Sequence, residues 1–155
     1  MERRLQLAPD EEGKVLRVLV VDESRVLPWL VRRLAGNRIE VLEADCYRDA
    51  LALVERHPVD AAIVSVTPAY LPWREFQCAC ARRRPAIPVL YESCLATSVE
   101  ALGLAPVEGW AAVLAKPASR SELEGALELL LDAVAGARAA PEVGEEFHAA
   151  FPKSG

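Results

Sequence analysis

Five short runs of β-branched residues, leucine and alanine, each followed by a stretch with helical spacing, alternate between Val15 and Gly136. No other feature constrains the fold as strongly. The first run, VLRVLVVD (Val15 to Asp22), is apolar almost without interruption, the pattern of a strand buried on both faces of a sheet. IEVLEA (Ile39 to Ala44), DAAIVSV (Asp60 to Val66), IPVLYES (Ile87 to Ser93) and AAVLA (Ala111 to Ala115) follow it. Strands alternating with helices over short connections predict a parallel sheet with right-handed crossovers and helices on both faces. The expected fold class is α/β, a doubly wound five-stranded parallel sheet.

The intervening segments carry helix signals. In ESRVLPWLVRRLAGN, Ser24 is expected to cap, Val26, Leu27, Leu30, Val31 and Leu34 share a face, and Gly36-Asn37 closes the helix. Pro28 is tolerable there because it falls near the first turn. YRDALALVERH places Ala50, Leu51, Leu53 and Val54 together before Pro58, and WREFQCACARRR turns Trp73, Phe76 and Cys80 inward before Pro85. SVEALGLA reads as a short fourth helix. SRSELEGALELLLDAVAG is the clearest helix, capped by Ser119 or Ser121, with Leu123, Leu127, Leu130, Leu131 and Val134 as its buried stripe.

These limits divide the 155 residues into an N-terminal extension (1–14), one domain (15–136) and a C-terminal tail (137–155). One ordinary core suffices at this length. The tail is rich in Ala, Gly, Glu and Pro and reads as mobile. Its Phe147 and Phe151, four apart, offer a short helix that docks on the domain or on a partner. The net charge of -5 argues against nucleic acid as a partner, and the short basic run Arg82-Arg83-Arg84 reads as a solvated helix end. The charged start MERRLQLAPDEEGK has no membrane-spanning or signal-peptide pattern, so a cytoplasmic protein is expected. Cys46, Cys78, Cys80 and Cys94 lie in or beside apolar runs and are expected to be reduced and buried. Cys78 and Cys80 are too close in sequence for the usual zinc pairing and have no His nearby, so no thiol-held metal is expected.

In doubly wound sheets a site lies beyond the carboxyl ends of the strands. Here those ends carry Asp22, Glu23, Ser65, Thr67, Ser93 and Lys116. The segments VLVVDES, DAAIVS, PVLYES and AVLAKPAS, in this order and at these spacings, resemble the receiver domain of two-component response regulators. The resemblance covers residues 15–136 and rests most specifically on Lys116-Pro117, then on the acidic pair after the first strand. It implies a flavodoxin-like (βα)5 fold. It also implies that Asp22 and Glu23 hold a divalent cation, that Ser93 is the hydroxyl residue bonding a phosphoryl group, and that Lys116, followed by Pro117, pairs with the phosphorylated carboxylate.

At the acceptor position itself the resemblance places Ser65, where receivers carry aspartate. Serine cannot form an acyl phosphate, and its hydroxyl is a poor nucleophile without a general base. Loss of that carboxylate also removes a cation ligand, so no cofactor is expected beyond weakly held Mg²⁺, and Lys116 is left to pair with Asp22 or Glu23. A buried serine satisfied by Lys116 or by a backbone group is the ordinary fate of such a residue. Val113 stands where receivers usually have a switch aromatic, and Trp110 lies near the surface that receivers use for partners. Glu92, unusual in a central parallel strand, is expected to turn into the same polar crevice.

The resulting expectation is a stand-alone pseudo-receiver, a phosphorylation-independent protein interaction module in bacterial signalling that works through protein partners or a homodimer. The competing expectation is a phosphorylation-controlled regulator with a non-standard acceptor. An enzyme is disfavoured, because the chain shows neither a Gly-rich phosphate loop nor a nucleophile and base pair.

Overall fold

The computed structural model describes residues 15–66, 73–94 and 109–139. Strands β1 (Leu16–Val21), β2 (Ile39–Ala44), β3 (Ala61–Val66), β4 (Val89–Ser93) and β5 (Ala111–Ala115) form one parallel sheet in the order β2-β1-β3-β4-β5. β1 lies between β2 and β3, with Val18 opposite both Val41 and Ala61. All of its residues except Arg17 are buried, which accounts for the unbroken apolar run. Strand order reverses between β1 and β3, so their carboxyl ends flank the crevice that a doubly wound sheet leaves open.

Alternation along the strands sends neighbouring side chains to opposite faces, and two cores result. Helices α1 (Val26–Ala35) and α4 (Arg120–Ala139) cover one face, where Leu27, Val31, Leu123, Leu127 and Leu130 pack on Val18, Val20, Ile63 and Leu90. On the other, α2 (Tyr47–Arg56) and α3 (Trp73–Arg82) bring Val54, Phe76 and Cys80 against Leu19, Val64, Val66 and Tyr91. Trp73 is buried there and meets the rings of Tyr47 and Phe76 edge-on. No described helix is long and apolar enough to cross a membrane.

The sequence expectations need correction in three places. Ser24 is not the N-cap residue of α1: Arg25 holds that position without a side-chain bond, and Ser24, one residue earlier, accepts from the Val26 N–H at 3.3 Å. The last helix outruns its expected end at Gly136 and continues to Ala139, because Arg138 is fastened to Asp60 Oδ1 at 2.6 Å. The four thiols are free, but only Cys80 is buried; Cys46 precedes α2 and Cys94 follows β4, and both are exposed at strand ends. Burial pushes the Cys80 thiol up to about 12, leaving it inert. The N-terminal extension, the expected fourth helix SVEALGLA, and the tail from residue 140 with Phe147 and Phe151 lie outside the described residues.

Candidate functional site

The chain leaves β1 at Asp22, whose N–H donates to the Ala44 carbonyl at 3.0 Å and holds the turn against β2. The Asp22 carboxylate accepts from the N–H and Oγ of Ser24 at 3.2 and 3.1 Å, and from the Leu27 N–H at 3.2 Å. Asp22 therefore shares the work expected of Ser24: Ser24 Oγ takes the Val26 N–H, while Asp22 satisfies the next orphan amide and places negative charge at the positive end of α1. On the far side, Lys116 follows β5, its N–H donates to the Ser93 carbonyl at 2.9 Å, and its peptide bond to Pro117 is cis.

Between these ends lies Ser65, half-buried near the end of β3. Lys116 Nζ donates to Ser65 Oγ at 2.7 Å. Parallel pairing sets Glu92 directly opposite Ser65, and both side chains face the α1 and α4 side. The result is a cleft of about 410 Å³. Asp22, Ser24, Ser65, Glu92 and Lys116 supply its polar groups; Val26, Leu27, Leu30 and Pro117 supply its apolar wall, with Cys94 beside them. Desolvation raises the Glu92 pKa, Lys116 opposes the shift, and Asp22 adds to it.

The residues anticipated from the sequence separate into groups. Asp22, Ser65, Lys116 and Pro117 meet in the cleft, and Glu92 turns into it as expected. Glu23 is exposed and outside the lining. Ser93 is buried, opposite Val66 and therefore on the face away from Glu92; only its carbonyl reaches Lys116. Thr67 lies outside the described residues. Ser24 and Cys94 were missed, although a serine two residues after an aspartate at a strand end is an Asx-turn signal. The expected ion pair of Lys116 with Asp22 or Glu23 is absent among the described residues. Asp22 is occupied by the start of α1, and Ser65 offers the nearer acceptor.

Away from the cleft, Val113 is half-buried and opposite Tyr91. The Tyr91 ring fills that face of the sheet, fully buried, with its hydroxyl donating to Gln77 Oε1 at 2.9 Å. Trp110 is half-buried and packs on the side of α1 and α4, and its carbonyl accepts from the Val89 N–H.

Magnesium requires several hard oxygen donors in near-octahedral array. Here the Asp22 carboxylate is already bonded to three donors, the serine hydroxyl is bonded to an ammonium, Glu23 stands outside the cleft, and Glu92 adds a second carboxyl to the lining beside Lys116.

No protein-family model matches the sequence, and no curated protein matches it. Solved structures do. The chemotaxis response regulator CheY4 of Vibrio cholerae superimposes with a TM-score of 0.62 at 25% identity, over 76% of this chain and 99% of that one. The fold is that of the response-regulator receivers. A signal receiver domain of an HD domain-containing protein from Pseudomonas fluorescens shares the receiver fold at a TM-score of 0.66 and 19% identity, over 83% of this chain and 96% of its own. The receiver domain of a sensor histidine kinase from Pseudomonas aeruginosa, solved with a magnesium ion coordinated in its active-site cleft, gives 0.60 and 18%, over 76% and 98%. The likeness to CheY4 supports a role in signal transduction of the two-component kind.

Proposed function

We propose that this chain is a pseudo-receiver: a signalling module that acts through protein contacts and is not switched by phosphorylation of β3. The observation that carries the reading is the 2.7 Å bond from Lys116 to Ser65 Oγ. In the receiver arrangement this lysine pairs with the phosphorylated carboxylate, and here its partner is a hydroxyl that forms no acyl phosphate. Remnants of the switch persist in Asp22 and Pro117, while Val113 in place of an aromatic removes one end of the usual coupling. Tyr91, held by Gln77, supports a fixed rather than a switching interior.

The contact surface is assigned to β5 and α4, with Trp110 and Val113 as candidate contacts and Leu129, 60% exposed on α4, as an apolar point for a protein partner or a second copy. The net charge of -5 supports proteins over nucleic acid or anionic membrane as partners, in the cytoplasm. Incubation with acetyl phosphate or beryllofluoride and Mg²⁺ tests the reading. Intact-mass analysis and Trp fluorescence are expected to show neither adduct nor shift. A second reading, phosphorylation at a non-standard acceptor, draws on the carboxyl of Glu92 in the cleft; a stoichiometric adduct lost in Glu92→Gln would establish it and remove the first.

A further inference from the structure

Hydrogen-bonding capacity in the cleft is unevenly used. The Asp22 oxygens take three donors from the chain itself, and the Lys116 ammonium is drawn onto Ser65. Glu92, half-buried in the lining, receives no hydrogen bond or ion pair within bonding distance from any described residue. A carboxyl partly withdrawn from water is stabilised when a donor enters. Two carboxyl groups face one ammonium across the cleft, so an entering anion meets repulsion where an entering cation finds its match.

The opposite wall specifies the rest of the ligand. Val26, Leu27 and Leu30 present aliphatic surface, and Val26 is 61% exposed at the rim. A volume of about 410 Å³ lies within the range of small-molecule sites, which combine apolar walls with a few convergent polar groups. We propose that the cleft binds a small organic ammonium ion, its charged head at Glu92 and its short apolar tail along Val26 and Leu30. The proposal rests on the reading that the cleft no longer takes a phosphoryl group. Replacement of the third-strand carboxylate by Ser65, with a carboxyl on the neighbouring strand instead, converts an anion site with a cation beside it into a site for an organic cation.

The test is a titration of the 155-residue chain with phenethylammonium, followed by ¹H–¹⁵N NMR, with phenylacetate as the anionic counterpart. Saturable shifts of the Leu27, Ser65 and Lys116 amides are expected with the amine. Binding should weaken about tenfold or more in Glu92→Gln and for phenylacetate. Val26→Ser, at an exposed position, should weaken it severalfold by loss of the tail contact. Equal binding of phenylacetate, an unchanged affinity in Glu92→Gln, or no saturable shift with the amine overturns the proposal. A parallel titration with beryllofluoride and Mg²⁺ separates the two failures. Saturable shifts there overturn the reading of the cleft itself, and their absence together with no amine binding overturns only the ligand.

Discussion

Glu92 and Ser65 face each other across two strands, and each sets a measurable property of the protein. Burial raises the Glu92 pKa above its ordinary 4.5, against the pull of Lys116. The native state therefore holds the Glu92 proton more tightly than the unfolded chain. Its contribution to stability is complete below pH 4.5 and is lost as the pH rises through the native value. Glu92→Gln should accordingly be more stable than the parent at pH 7, with the difference shrinking toward pH 4.5 in thermal or urea unfolding; a constant difference across that range would refute the assignment. Ser65→Asp returns a carboxylate to the cleft beside Lys116 and Asp22, and calorimetric titration should show a gain in Mg²⁺ affinity over the parent. No gain would put Ser65 elsewhere than at the acceptor position. Ser65 was legible because it interrupts the apolar run of β3 one residue before the strand ends. The exchange between Glu92 and Ser93 was only half legible. Which of two adjacent residues turns into a cleft depends on the register with β3, and a run of five apolar and polar residues does not declare its register.

At the scale of elements, α1 shows how a site residue doubles as a structural one. Helix starts leave unpaired amides, and here the Asp22 carboxylate reaches five residues forward to the Leu27 N–H while fixing Ser24. Asp22→Ala should lower stability by about 1 to 2 kcal/mol in urea unfolding, within the range of lost helix caps. Asp22→Asn, which keeps an acceptor oxygen, should recover much of it. If Asp22→Ala unfolds at the parent midpoint, the carboxylate is not anchoring the helix. The outer ridge of α1 is unusual in leaving Val26 and Trp29 in solvent, with the Arg33 guanidinium 5.1 Å from the Trp29 ring. Helix positions and buried faces followed from apolar periodicity, as in the Leu123, Leu127, Leu130, Leu131 and Val134 stripe of α4. Its end did not, because an Ala-rich stretch continues a helix or abandons it according to what its last turn meets.

What α4 meets is a property of the whole molecule. Asp60, at the beginning of β3, accepts from the Arg17 N–H at 2.7 Å and from Arg138 at 2.6 Å, linking residues 43 and 78 positions apart. Asp60→Ala cuts both links, and a loss of about 1 to 2 kcal/mol is expected, together with faster hydrogen exchange in the last turn of α4. Exchange unchanged at Arg138 and Ala139 would show that the helix end is held by something else. By itself the sequence determined the five strands, the parallel doubly wound class, and the convergence of Asp22, Ser65 and Lys116, because apolar runs and their ends fix where strands stop. Only the tertiary structure decided that Lys116 bonds Ser65 rather than a carboxylate, that Glu92 and not Ser93 lines the cleft, and that Asp60 extends α4. Those outcomes depend on pairing register and on distances between residues far apart in the chain, which local pattern does not encode.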